Sequence, residues 1–265
     1  MRFTKLLATL LAATCAGLAH AATHNVTAVG NTYSPKNLQI VVGDTVNWSW
    51  GGFHNVTSGI GGAPDGIFTS GSPVFGGSLS ITFDQAFIDA NPVPGNIYNY
   101  FCDTHVSFGM EGLIRVNMPP QGPTPYGCGI NPAGSLALGS GALKIGTTPV
   151  FQVTNPLGSM APGSLCFLAI SAGSAPGFPC GIPLPGFGMS APGAAGELLL
   201  NISPGILLPT LGPVLWSGAP ANINVVIPSS PPILGLQVFL QGAMYNVGTA
   251  HLGLTNALQG KIGNL

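Results

Sequence analysis

The 265-residue chain has only six Lys or Arg and seven Asp or Glu, so 5% of it is charged and its formal net charge is −1. That excludes a basic stripe for nucleic acid and a cationic amphipathic helix for membranes. A hydrophobic fraction of 46% argues against disorder and can bury a sizeable core. Forty Gly and 25 Pro among many Val, Ile, Leu and Thr predict short strands joined by turns, and the length suits two domains.

Residues 1–21, "MRFTKLLATLLAATCAGLAHA", carry Arg2 and Lys5, an apolar run and small residues ending Ala19-His20-Ala21. This is the pattern of a secretory signal peptide. The apolar run is too short to span a bilayer, and no later run is long enough. The expected location is therefore exported: periplasmic, extracellular or at the cell surface. Cleavage would remove Arg2, Lys5 and Cys15, leaving four basic against seven acidic residues, a charge of about −3.

From residue 22, "HNVTAV" alternates as an edge strand would. "NLQIVVGDTVNWSW", 37–50, reads as two strands separated at Gly43-Asp44, with Val46, Trp48 and Trp50 on one face as core. "LSITF" is a further strand, "DQAFIDAN" a short helix, and "NIYNYFC" and "GLIRVNM" close a first domain over 22–118. Strands at this spacing indicate an all-β sandwich or barrel. Residues 119–125 are expected to be a Pro-rich linker. The second domain, 126–265, repeats the punctuation in "TPVFQVTN", "SLCFLAIS", "GELLLNIS", "NINVVIP", "LGLQVFLQGAMYN" and "AHLGLTNAL", and reads as a second β-sandwich.

Four cysteines lie beyond the expected signal, and export would place them where disulfides persist. Cys128 and Cys180 sit in the turn-like contexts "YGCG" and "FPCG" and are expected to pair. Cys166, inside "LCFLAI", reads as a small buried hydrophobe.

The chemistry concentrates in "NYFCDTHVSFGMEGLIRV", 99–116. If Cys102 ends one strand and Met110 begins the next, the loop between them folds Cys102, His105 and Met110 towards one point. Gly109 permits the return. A fourth donor is His54, in the loop of "WGGFHNVTSG"; His20 belongs to the signal, His24 to the new N-terminus, and His251 stands alone in the second domain. Two imidazoles, a thiolate and a weak thioether are the ligand set of a mononuclear blue-copper electron-transfer site, with one copper ion as cofactor.

The series "TYSPKNLQIVVGDTVNWSW…FHNV…YFCDTHVSFGM", with "FTSG" at 68–71, resembles the plastocyanin and halocyanin-like branch of the cupredoxins over about residues 24–117. The resemblance implies a Greek-key β-barrel, copper held by His54, Cys102, His105 and Met110, and one-electron transfer with redox protein partners. It implies that Asn55 ties the two ligand loops by hydrogen bonds. It also implies that His105 exposes its edge as the electron port, with Val106 and Phe108 contributing to an apolar exit patch. Two positions depart from the family pattern: Thr104 replaces the usual Pro, which could loosen the loop, and Phe101 stands beside the Cys where Tyr is common.

An enzyme is not expected. Copper nitrite reductases and multicopper oxidases want a His directly after the Cys, where Asp103 stands, and a binuclear copper site wants a second Cys in this loop. A zinc hydrolase wants harder ligands and an open position, and no Gly-x-Ser-x-Gly elbow is present. Two alternatives stay open: copper storage, delivery or sensing outside the cytoplasm, and a structural surface protein with an accessory copper domain. The second domain resembles low-charge β-sandwich modules of secreted bacterial proteins, which implies no settled activity and leaves open docking to a partner or to the cell surface. Glu197 and His251, its isolated polar residues, are expected to be structural or solvent-exposed.

Overall fold

The computed structural model describes residues 21–265. The expected signal peptide, with Cys15 and His20, lies outside the described residues except for Ala21. The first part of the chain contains strands β1 (Thr23–Val29), β2 (Thr32–Ser34), β3 (Asn37–Val41), β4 (Thr45–His54) and β5 (Thr57–Ile60). It continues with β6 (Ala63–Thr69), β7 (Val74–Thr82), a helix α1 (Gln85–Ala90), β8 (Ile97–Phe101) and β9 (Glu111–Asn117). The strands form two sheets, ordered β2-β1-β4-β7 and β3-β9-β8-β5-β6.

Alternation decides which side chains face inward. Along β4, Val46, Trp48 and Trp50 are buried, as the period of two requires. Trp48 meets Tyr100 edge-on at 5.3 Å and Phe68 at 5.7 Å, so aromatic contacts from both sheets form the middle of the core. Asp84 caps α1 by accepting from the Phe87 N–H at 2.8 Å. The segment expected as an edge strand is interior, because β1 pairs with β2 on one side and, in parallel, with β4 on the other. The edge on that side, β2, is three residues long, too short for a period to be read.

The turn at Gly43-Asp44 is held by one carboxylate. Asp44 accepts from the Ala22 N–H at 2.8 Å, the Val41 N–H at 3.0 Å and His24 Nε2 at 2.9 Å. Burial alone would raise the Asp44 pKa, but the hydrogen bonds from Val41, Ala22 and His24 outweigh it and hold the carboxyl below its ordinary value.

The second part contains β10 (Gln121–Tyr126), β11 (Leu136–Ser140), β12 (Val150–Val153), β13 (Leu165–Ser171) and β14 (Ile182–Pro185). It ends with β15 (Ala195–Leu198), β16 (Leu207–Leu215), β17 (Ala221–Asn224), β18 (Gln237–Asn246) and β19 (His251–Lys261). A five-stranded sheet, β10-β19-β18-β13-β16, faces a three-stranded one, β11-β12-β17, with β14 and β15 paired separately. Phe151, Val153, Cys166, Leu168, Leu240 and Met244 lie in the core of this unit. Burial pushes the Cys166 thiol up to about 11, consistent with an inert core residue.

The stretch 119–125 is not a linker along its length. Residues 121–126 form β10, antiparallel to β19. Pro123 and Pro125 hide this strand in the sequence, but β10 is a sheet edge, where a missing N–H is tolerated. The same holds for β16, the opposite edge, which contains Pro209 and Pro213. The remaining connector is clasped. Asn264 N donates to Met118 O, and Met118 N to Asn264 Oδ1, both at 2.8 Å. Asn264 Nδ2 also reaches Asn117 Oδ1 at 3.0 Å.

Cys128 and Cys180 form a disulfide. Glu197, 1% exposed, lies beneath it. Its Oε2 accepts from the Cys128 N–H at 3.2 Å, and its Oε1 from the Gly181 N–H at 2.8 Å. Asn131 and Gln241 pair with the Glu197 main chain, and His251 Nε2 pairs with Gly188 O at 2.7 Å. Both isolated polar residues are therefore structural.

Two outcomes are expected. Glu197→Ala strands the N–H groups beside the disulfide and should cost the second domain roughly 2–4 kcal/mol in chemical unfolding, with Glu197→Gln in between. Because the folded pKa of Asp44 lies below its unfolded value, its contribution is present at neutral pH and is lost as pH falls through the folded pKa. Acid titration of stability should show a loss setting in below about pH 4 that is smaller in Asp44→Asn.

Candidate metal centre

Two chain segments at one end of the first sandwich build the site. The first is the end of β4, which runs on to His54, paired with Val74, where the sequence suggested a loop after Trp50. An irregularity between Trp50 and Phe53 shifts its register against β7, and Gly51 and Gly52 occupy the bulge. A Cβ at Gly52 would lie 2.8 Å from His54 Nε2, so the missing side chain leaves the space that the imidazole fills. The second is a loop that joins β8 to β9 and closes on itself. His105 N donates to Cys102 O at 3.1 Å, Met110 N to His105 O at 3.2 Å, and Cys102 N to Met110 O at 3.1 Å. Gly109, at φ +80°, makes the left-handed turn that this return needs.

These segments bring three donors together. His54 Nδ1 and His105 Nδ1 are 3.1 Å apart, and Cys102 Sγ lies 3.4 Å from His105 Nδ1 and 3.9 Å from His54 Nδ1. The circle through these three atoms has a radius of about 2.0 Å, the length of a metal–imidazole bond and a little under that of a metal–thiolate bond. Small adjustments would suit one ion, and the soft donor set suits copper. Met110 is fully buried in the same apolar cluster as Cys102.

The two imidazoles differ in access. His54 is 6% exposed, whereas His105 is only partly covered. Burial, and then the neighbouring His105, keep the His54 pKa below its ordinary value.

Asn55 is wholly buried and links the loops. Its Oδ1 accepts from the Asp103 N–H at 2.9 Å, and its Nδ2 donates to Asp103 Oδ2 at 2.7 Å and to Gly71 O at 2.8 Å. Thr57 Oγ1 lies 3.1 Å from the same nitrogen, and Tyr33 Oη donates to Asn55 O. Phe101, also buried, borders a surface hollow of about 520 Å³ shared with Thr57, Phe68, Asp103 and Val106. Phe108 is 71% exposed beside His105, and Val106 is half-buried.

Other residues of the site escaped the sequence reading. Asp103 is the partner of Asn55, a role that its position directly after Cys102 could have suggested. Phe53 and Phe75, both exposed with ring centroids 5.2 Å apart, add apolar surface near His54. Phe53 adjoins the ligand in sequence, but Phe75 arrives only through the shifted β4–β7 pairing.

A β-sandwich that gathers two imidazoles and a thiol from two chain segments at one end defines a binding domain for a soft metal. Residues 20–117 match the family of copper binding proteins of the plastocyanin/azurin type, so this part of the chain is a copper-binding domain of that family. Among solved structures, a purple cupredoxin from Nitrosopumilus maritimus is 28% identical, covering 35% of this chain and 98% of its own, with a TM-score of 0.28. A pseudoazurin from Methylobacterium extorquens is 22% identical, covering 36% of this chain and 74% of its own, with a TM-score of 0.27. No curated protein matches the chain. Among the described residues, no helix is long and apolar enough to cross a membrane.

Asn55→Ala should remove the link between the loops. The expected outcome is a loss of about 2–4 kcal/mol in urea unfolding of the metal-free protein. In copper titration, metal affinity should fall about 10–100-fold, as when a residue orienting a ligand is removed.

Proposed function

We propose that the first domain is a mononuclear type 1 copper carrier, exported from the cytoplasm, that passes single electrons between redox proteins. The observation that supports this most directly is the convergence of His54, Cys102 and His105 within a triangle of 3.1–3.9 Å sides. In this reading those three residues hold one copper ion, with Met110 as the weak further donor. Bound copper would supply one-electron chemistry, alternating between Cu(II) and Cu(I).

The chain's contribution is positional. Cys102 gives up its proton and binds as thiolate. Asn55 and Asp103 resist separation of the loops, and the buried aromatic core behind Cys102 resists their collapse. A frame that imposes one geometry on both oxidation states avoids reorganising with each electron. His54 is enclosed, so electrons leave at the exposed edge of His105, where Val106 and Phe108 offer an apolar contact to a partner. In this reading the domain is a carrier rather than an enzyme.

Absorption of the copper-loaded protein tests the reading. An intense blue thiolate-to-copper band is expected, abolished in Cys102→Ser, with a stoichiometry of one ion per chain. A colourless protein that takes up several Cu(I) ions would instead indicate storage.

A further inference from the structure

Thr104 has no part in the roles assigned so far. Its residue is exposed, yet its hydroxyl turns inward, with Oγ1 3.4 Å from Cys102 Sγ and 3.2 Å from His105 Nδ1. The family pattern has Pro here, which carries no side-chain donor. We propose that the Thr104 hydroxyl donates a hydrogen bond to the Cys102 thiolate and thereby raises the reduction potential of the copper site. This inference rests on the copper reading above.

A hydroxyl has one proton to donate, and two acceptors lie within reach. A Nδ1 lone pair committed to a metal cannot also accept a proton. A thiolate sulfur keeps further lone pairs and has no proton of its own. With the site loaded, the hydrogen bond therefore runs from Thr104 Oγ1 to Cys102 Sγ, and the anionic acceptor strengthens it.

The loop holds the hydroxyl in place. Asn55 Oδ1 fixes the N–H of Asp103 on one side of Thr104, and Cys102 O fixes that of His105 on the other. Between these anchors the Thr side chain, stiff at χ1 through its β-branch, has few positions to adopt. Donation to sulfur draws electron density from the thiolate. The oxidised ion depends on that density more than the reduced one, so the balance moves towards reduction. Hydrogen bonding at this sulfur is a recognised control on the potential of such sites.

The test compares Thr104→Val, which keeps the shape without the hydroxyl, with Thr104→Ser, which keeps the hydroxyl. Both are made in the full chain and measured by voltammetry and absorption after copper loading. Thr104→Val should move the Cu(II)/Cu(I) equilibrium about tenfold towards Cu(II), a fall of about 59 mV for a one-electron couple. Its thiolate-to-copper band should move to lower energy, and Thr104→Ser should restore both properties towards the parent protein. A Thr104→Val protein with unchanged potential and band overturns the role of Thr104 while leaving the copper reading intact. Absence of the band in the parent protein overturns both, and is seen before any variant is made. Circular dichroism of the metal-free variants separates these outcomes from misfolding.

Discussion

The paired contact between Asn55 and Asp103 is the constraint on which the site depends. Neither residue is a donor to the metal in the arrangement above, yet each follows one directly: Asn55 follows His54, and Asp103 follows Cys102. Two hydrogen bonds between an amide and the next loop's main chain and carboxylate set the distance between chain segments 48 residues apart. Without them, nothing in the Asn55 network would tie His54 to the Cys102 loop, and His54 sits at the end of β4, next to the point where that strand's register is irregular. Through the buried Asn55 this pair transfers the order of the sandwich core to a site at its margin. Asn55 is withdrawn from water, so a broken bond leaves its amide without a substitute, whereas Asp103 reaches it from an exposed position.

Much of the first domain was legible because its cause is local. The inward face of β4 follows from alternation, α1 follows from Asp84 at its start, and the Cys102–Met110 loop declares itself by spacing. What stayed hidden depends on pairing between distant segments. The interior position of β1 requires knowledge of β4 beside it, and the placement of Phe75 near His54 requires the bulge at Gly51-Gly52. Thr104 could be noticed only as a departure from a pattern, and a loosened loop was the natural expectation. Its hydroxyl instead lies against the atoms it was expected to leave less well held.

The second domain shows the same division. Its central strands are apolar runs and were readable, as was the pairing of the two cysteines in turn contexts. Its edge strands carry proline, which reads as punctuation until the strand is known to have a free side. Glu197 looked isolated because its partners are main-chain groups, which no sequence pattern advertises. A nearly uncharged module has few ways to hold loops under a disulfide, and a single carboxylate placed between two backbone amides is the one used here.

The clasp between Met118 and Asn264 has an architectural consequence. β9 leaves the metal loop at Glu111 and reaches this clasp after Asn117, seven residues of extended chain, or about 23 Å. The large domain is therefore fastened to the pole of the small one that is remote from His105. The length of β9 thus separates the histidine edge from the point where the module is fastened.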